Sequence, residues 1–456
     1  ATGDLAGRKL LPGLFNLHTA RLLPSGCRIV GTAPMKGAPT PDGFRAHAKE
    51  AVARFATTAP TAEQWASFEA RLDFAAADPT DTSALTAAVA SAEAAIGGTP
   101  RRLFHLAVPP AAFVSVVGML GQSGLADGAR VIVEKPFGSD LASAKALNSS
   151  IHETFDEERV FRIDHFLGKE AVDNILTLRF ANGLFEPIWN REHVAYVQID
   201  VPETLALEGR GGFYEATGAF RDMVVTHLFQ VLGFVAMEPP TVLSAEALAV
   251  ERQKVFDAME PLQPGHSVFG QYDGYRAEPG VAADSTTETF AALRVGIENW
   301  RWSGVPFLLR TGKAMREDRQ RITLGLREPV LKMFPADARV GSNRRNELVI
   351  DFSDPGGISA RFLVKEPGPV MRLEPAEMTF SYSSSFCAAN GLTAYAHLIL
   401  EAMVGDRSLF TTAGQVERIW DRSAPLLAAP PPPEVYPTGS WGPASVDALA
   451  APYGWS

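Results

Sequence analysis

The chain has 456 residues, 46% of them hydrophobic and 21% charged, a balance that buries a sizeable core and excludes global disorder. Its 42 basic and 52 acidic residues leave a net charge of −10, so no broad basic surface is offered to nucleic acid or to an acidic membrane. An anionic small molecule would need a local cation cluster, and lysine is scarce, with 10 residues against 32 arginines. The two cysteines, Cys27 and Cys387, lack both a disulfide framework and metal-ligand spacing, which predicts a reducing, cytoplasmic setting and no bound metal. No apolar run has the length of a membrane span, and no signal peptide opens the chain.

In chain order, the first feature is the turn Gly3-Asp4-Leu5 ahead of a helical pattern at Leu10, Leu14 and Leu17. A glycine turn at a helix N-terminus suits a pyrophosphate, because backbone N–H groups and the helix dipole face the anion. No apolar strand precedes it, so a first strand is expected to be missing from the sequence given. Arg28 to Thr32, Arg102 to Val108 and Val131 to Val133 read as buried strands, with helices near 42–56, 61–70, 81–96 and 111–121 between them. Strands that are apolar nearly throughout, separated by helices, predict a parallel sheet covered on both faces.

After about residue 185 the period changes. Alternation at Ile322, Leu324, Leu326, at Leu348, Ile350, Phe352 and at Ile358, Ala360, Phe362, Val364 predicts an antiparallel sheet with one buried face. Helices are expected at 219–237, 391–404 and 413–427. Pro430 to Pro433 reads as a stiff linker ahead of a tail. The fold expected is an α/β Rossmann-like dinucleotide-binding domain over 1–160, followed by a larger α+β domain over 161–456 with a mostly antiparallel sheet.

The chemistry-bearing residues cluster between 131 and 237. VIVEKPFG (131–138) is a strand ending on Lys135, and ligands of open α/β sheets lie at the carboxyl ends of strands. In FRIDHFLGKE (161–170), read as the first turn of a helix, His165 and Lys169 share one face four residues apart, a cation pair suited to a phosphate dianion. Asp164 beside them is placed to orient an imidazole or to cap the helix. His227 lies among the apolar positions Met223, Val224, Leu228, Val231, Leu232 and Val235, the usual setting of a core histidine, yet in the company of Asp164, His165, Lys135 and Lys169.

These strings, with GDLAGRKLLPGLF (3–15), LRFANGLFEPIWNR (178–191), EGRGGFYEATGAFRDMVVTHLFQVL (208–232), VPFLLRTGKAM (305–315), RNELVI (345–350) and YPTGSWGP (436–443), resemble the glucose-6-phosphate dehydrogenase family along nearly the whole chain. The resemblance implies oxidation of D-glucose 6-phosphate at C1 to the 6-phosphoglucono-lactone with hydride transfer to NADP or NAD. It implies His227 as the general base, with Asp164 orienting it, and His165 and Lys169 on the phosphate. Glu203 and Asp222 would hold sugar hydroxyls, Lys313 would bind substrate, and Lys135 would stand between sugar and nicotinamide. Gly3, Asp4, Leu5, Lys36 and Phe113 would serve the cofactor. A homodimer or homotetramer is implied as well, with no nucleic acid or membrane partner.

The sequence departs from the family pattern in places. Pro34 stands where an arginine usually meets the 2′-phosphate of NADP, which leaves Lys36 or Arg45 for that role and NAD as an alternative. Phe113 lacks the hydroxyl of the usual aromatic. Asp318 replaces a cation, with Arg319 adjacent as its substitute, and Ser383 to Asn390 lacks the usual basic residues. Two other readings fit the same residues: a dehydrogenase of another hexose, and a non-catalytic regulatory paralogue.

Overall fold

The computed structural model describes residues 1–331, 333–334, 338, 346–353, 356–386 and 392–456. Cys387, Arg345 and the end of the Ser383–Asn390 loop lie outside them.

The first part of the chain carries five parallel strands in two sheets. Ile29–Ala33 pairs with Leu72–Ala76, and separately Leu103–Leu106, Arg130–Val133 and Val160–Arg162 pair in that order. The helices between them are Pro41–Phe55, Ala62–Glu69, Ser83–Ile96, Pro110–Gln122 and Leu141–His152. Local chemistry starts them where expected. Thr40 accepts from the Gly43 amide with Pro41 in the first turn, and Thr61 with Gln64 forms a reciprocal capping box. Two strands had no clear signal in sequence, Leu72–Ala76 and Val160–Arg162, because each is short and neither alternates.

The two-stranded sheet has a core of its own on one face, while its Ala75 joins the main core. Leu11, Phe15, Phe44, Phe68 and Phe74 pack around the two-stranded sheet. The three-stranded sheet, through Val131, Ile132, Val133, Val160 and Phe161, joins the cluster that fills the second half of the molecule. Each large side chain wholly removed from water there contributes about 1.5–3 kcal/mol, so the three-stranded sheet and the second half stabilise one another.

The second half is built on a nine-stranded sheet. Its spatial order is Leu373–Ser381, Gly357–Lys365, Glu347–Asp351, Arg321–Leu326, Val194–Pro202, Phe307–Gly312, Phe290–Val295, Ser267–Tyr272 and Glu434–Tyr436. Neighbours are antiparallel except at Val194–Pro202 with Phe307–Gly312 and at Ser267–Tyr272 with Glu434–Tyr436. The alternation around Ile322 and Leu348 is therefore a true strand period. Val194–Pro202 escaped that signal because every one of its residues is buried. Where it pairs with Arg321–Leu326, Gly325 is required, since a Cβ there would lie 2.0 Å from the Tyr196 ring.

The C-terminal stretch is part of the sheet rather than a tail. Glu434–Tyr436 adds the last strand, and the wholly buried Tyr436 hydroxyl donates to the Lys313 carbonyl at 2.7 Å. Arg310 lies between the rings of Trp441 and Trp455, at 5.0 and 4.3 Å. The run Gly211–Ala236 is long and apolar enough to cross a membrane by length and composition, but it is kinked at Gly218 and 83% of its apolar window is buried inside the protein.

Candidate active site

Arg130–Val133 and Val160–Arg162 are neighbours in register, Val133 opposite Arg162, and the Ile163 amide donates to the Val133 carbonyl at 3.0 Å. Lys135 and Asp164, each two residues beyond its strand, therefore leave the sheet side by side at its carboxyl edge. The segment Phe220–Leu228 crosses this edge as a π-helix and continues as the α-helix Phe229–Ala236. In an α-helix residues five apart diverge by about 140°. The wider π turn narrows that divergence, so Asp222 and His227 both reach Lys135 Nζ, at 3.0 and 2.9 Å.

His227 is only 1% exposed, so its partners decide its chemistry. Its Nδ1 lies 2.6 Å from Asp164 Oδ1, which also accepts from the Phe166 amide at 2.9 Å. A carboxylate accepts, so Nδ1 carries the proton and Nε2 is left as an acceptor, here for the Lys135 ammonium. The Phe166 ring stacks on the imidazole at 4.3 Å, and His165 stands edge-on to it at 4.8 Å. Burial, then the Lys135 charge, push His227 well below the usual histidine range, which keeps it neutral near pH 7. Burial pushes Asp164 up to about 6. Burial, then His227, also hold His165 well below its usual value. For Asp222, burial is outweighed by Lys135 and His227, and its carboxyl stays below the usual range.

Asp164, His165 and His227 could between them offer three ligand atoms within 4.8 Å of one another. However, His227 is already committed at both nitrogens, and Lys135 donates into the cluster. This donor set does not suit a resident metal ion.

The expected helical pairing of His165 and Lys169 is corrected by the structure. Residues 164–168 form turns, and the helix starts at Glu170 with Lys169 as its N-cap residue. Asp164 spends one oxygen on a two-residue turn, as side chains of its type do. Lys169 Nζ donates to the Phe352 carbonyl at 3.1 Å and to Gln320, and lies 5.4 Å from the Phe166 ring. It remains close enough to depress His165 electrostatically.

Glu203 and Lys313 are joined by an ion pair, and the Glu203 amide donates to the Gly312 carbonyl at 2.9 Å. The Tyr214 ring lies 5.9 Å from Lys313 Nζ. Arg319, the expected substitute beside Asp318, is engaged within the protein. Its guanidinium is held by Glu317 and Asp200 and stacks on Trp441 at 4.7 Å, while Asp318 is bound by the Thr204 amide and hydroxyl at 2.8 and 2.7 Å.

Beside the carboxyl end of Ile29–Ala33, where the Thr32 carbonyl meets the Ala1 nitrogen, Gly3 is exposed and the first helical bond runs from the Gly7 amide to its carbonyl at 3.1 Å. The amides of Asp4, Leu5 and Ala6 precede that bond and are the donors a helix start leaves for an anion. The Asp4 carboxylate pairs with Arg8 at 2.6 Å, and Leu5 is half-buried. Lys36 is exposed in the turn after Ile29–Ala33. Phe113 is 6% exposed and packed in the main core, so its ring supports the helix Pro110–Gln122.

Sequence reasoning missed three neighbours of the site. Phe166 lay unremarked inside the 161–170 string. Gln320 had no motif around it. Tyr395, stacked on His165 at 6.0 Å and 3.4 Å from Glu134, comes from a helix more than two hundred residues away in the chain.

Residues 1–174 match the family described as glucose-6-phosphate dehydrogenase, NAD binding domain, and residues 176–456 match the C-terminal domain of the same enzyme. The glucose-6-phosphate 1-dehydrogenase of Treponema pallidum is 38% identical over 98% of this chain and 92% of its own length. Glucose-6-phosphate 1-dehydrogenase 2 of Mycobacterium bovis is 40% identical over 97% of this chain and 90% of its own. Among solved structures, a glucose-6-phosphate dehydrogenase in complex with its substrate glucose-6-phosphate aligns with a TM-score of 0.91 at 33% identity, covering 100% of this chain and 96% of the other. The Mycobacterium avium glucose-6-phosphate 1-dehydrogenase aligns at 0.89 and 36%, with the same coverage. On sequence and fold alike, the chain belongs to the glucose-6-phosphate dehydrogenase family.

Proposed function

We propose that the chain oxidises D-glucose 6-phosphate at C1 to 6-phospho-D-glucono-1,5-lactone, the first step of the oxidative pentose phosphate pathway, with NADP as the nicotinamide partner. The observation that carries the reading is the continuous contact Asp164–His227–Lys135 at 2.6 and 2.9 Å across a buried imidazole. A neutral Nε2 held in one tautomer takes the proton of the C1 hydroxyl while the C1–H pair leaves as hydride, and the ring carbon becomes the lactone carbonyl. Asp164 holds Nδ1–H and stabilises the imidazolium that results. Phe166 fixes the ring plane.

The substrate's phosphate is taken by the Lys169 ammonium with the neutral His165 beside it, a local anchor on a chain of net charge −10. A neutral hexose would have no use for it, which favours the phosphorylated sugar. Glu203 and Asp222 accept from sugar hydroxyls, so that a polyol is preferred to an apolar alcohol. Lys313 and Lys135 hold these carboxylates in place.

The nicotinamide group, when bound, accepts the hydride. The donor chemistry fits it: open amides of Asp4, Leu5 and Ala6 at a helix start, the unobstructed Gly3, and the exposed Lys36 after the neighbouring strand. We assign the exposed Lys36 to a 2′-phosphate, which favours NADP, with NAD as the competing partner because Pro34 offers no charge.

A second copy of the chain is the partner proposed for the strands Gly357–Lys365 and Leu373–Ser381, whose Val364 and Met378 are 38% and 62% exposed. Initial rates on glucose 6-phosphate with NADP and with NAD test activity and cofactor choice together. Turnover with NADP supports the reading, and no turnover with either sinks it.

A further inference from the structure

The π-helix that aligns Asp222 with His227 is anchored at its start by one side chain from outside it. The Ala219 amide donates to the Glu288 main-chain carbonyl at 2.9 Å, and the Phe220 amide donates to Glu288 Oε1 at 2.9 Å. Gly218 allows this approach. Its φ is +70°, and a Cβ there would lie 2.4 Å from Glu288 Oε1. The next residue of the same dipeptide, Thr289, accepts the Lys313 amide at 2.9 Å, and Phe290 is paired with Gly312. One junction thus fixes both the helix that carries Asp222 and His227 and the strand end that carries Lys313.

We infer that Glu288 is a positioning residue for the reaction: its carboxylate sets the helical phase of Phe220–Leu228, so that Asp222 and His227 converge on Lys135, and it indexes that helix against Lys313. This rests on the function proposed above. The register is what Glu288 has to defend. Were the segment to relax to an α-helix, Asp222 and His227 would diverge by about 140°, and Lys135 could no longer touch both. Glu288 is 7% exposed, so water does not readily replace its oxygen at the Phe220 amide. The proposed phosphate anchors, His165 and Lys169, stand on other elements and are not held by this junction. Loss of phase should therefore fall chiefly on kcat, with only a small rise in KM as Asp222 shifts beneath the sugar.

Glu288→Ala and Glu288→Gln separate positioning from mere stability. Glutamine keeps a carbonyl acceptor for the Phe220 amide and alanine does not. We expect Glu288→Ala to lower kcat roughly ten- to a hundredfold, the scale of a misplaced catalytic group, with KM for glucose 6-phosphate changed less than about threefold. Glu288→Gln should restore kcat to within about threefold of the unaltered chain. Hydrogen exchange at amides 219–228 should quicken in the alanine variant and not in the glutamine variant. Should Glu288→Ala fail to fold, Gly218→Ala displaces the carboxylate without removing it, and the same loss of kcat is expected. Unchanged kcat and exchange in the variant that folds would overturn the inference, as would a Gln variant as impaired as Ala, or a rise in KM at constant kcat. The exchange arm needs no turnover, so failure of the unaltered chain to oxidise glucose 6-phosphate would count against the proposed function and leave the register claim separately readable.

Discussion

Lys135 donates to Nε2 of His227 at 2.9 Å, the very nitrogen that has to accept the substrate's proton. The sugar's C1 hydroxyl must take over that lone pair, and the ammonium must turn to Asp222 or to the substrate. The lysine thereby lowers the basicity of the imidazole while keeping it neutral.

The acid limb of kcat/KM should consequently lie below 6.5, the ordinary histidine value, because burial and Lys135 both disfavour the imidazolium. In Lys135→Gln a repelling charge is gone, protonation of His227 becomes easier, and the limb should move to higher pH. A pH–rate profile of the two proteins measures this. A limb that stays put, or moves down, contradicts the assigned coupling.

Lys169→Ala should raise KM for glucose 6-phosphate about ten- to a hundredfold, the worth of a charge-assisted hydrogen bond, and leave KM for free glucose nearly unchanged. Steady-state kinetics on both sugars checks it. Equal effects on the two would take the phosphate away from Lys169.

His165 is held neutral by burial and by the positive groups around it. A phosphate dianion reverses that field and favours its charged form. Binding of glucose 6-phosphate near pH 7 should therefore take up a proton. Calorimetry in buffers of different ionisation enthalpy reads the uptake directly, and His165→Gln should abolish it.

Gly325→Ala should destabilise the fold by about 1–3 kcal/mol, the scale of overpacking a tight core, because the Tyr196 ring leaves no room for a Cβ. Thermal melts of the two chains give the difference. In a Tyr196→Ala background, where the ring is gone, the cost of Gly325→Ala should shrink.

The parallel-strand half and the alternating half were legible because burial writes different periods into them. Strands covered on both faces, such as Arg130–Val133, read as continuous apolar runs, and Arg321–Leu326 alternates. Val194–Pro202 was not legible, since a strand buried on both faces with Gln198 and Asp200 inside carries neither signature. In the site, His227, Asp164 and Lys135 could be named in advance because motif strings hold them. The convergence of Asp222 and His227 on Lys135 could not be derived from spacing. It depends on a π-helix, and five-residue separation in a helical pattern argues for opposite faces. Glu288 and Tyr395 were invisible for a simpler reason: they reach the site from distant segments, and nothing local marks them. The tail was misread because proline runs look like linkers, while Tyr436 and Trp455 are anchored by partners far back in the chain.

The central claim is that a buried imidazole, held by Asp164 and engaged by Lys135, accepts the proton as the sugar is oxidised. Its most direct test is the initial rate of NADP reduction with saturating glucose 6-phosphate in the unaltered chain and in His227→Asn, with KM for the sugar measured in both. The account predicts a kcat lowered by about two or more orders of magnitude at nearly constant KM. A His227→Asn chain that turns over at the ordinary rate would contradict it.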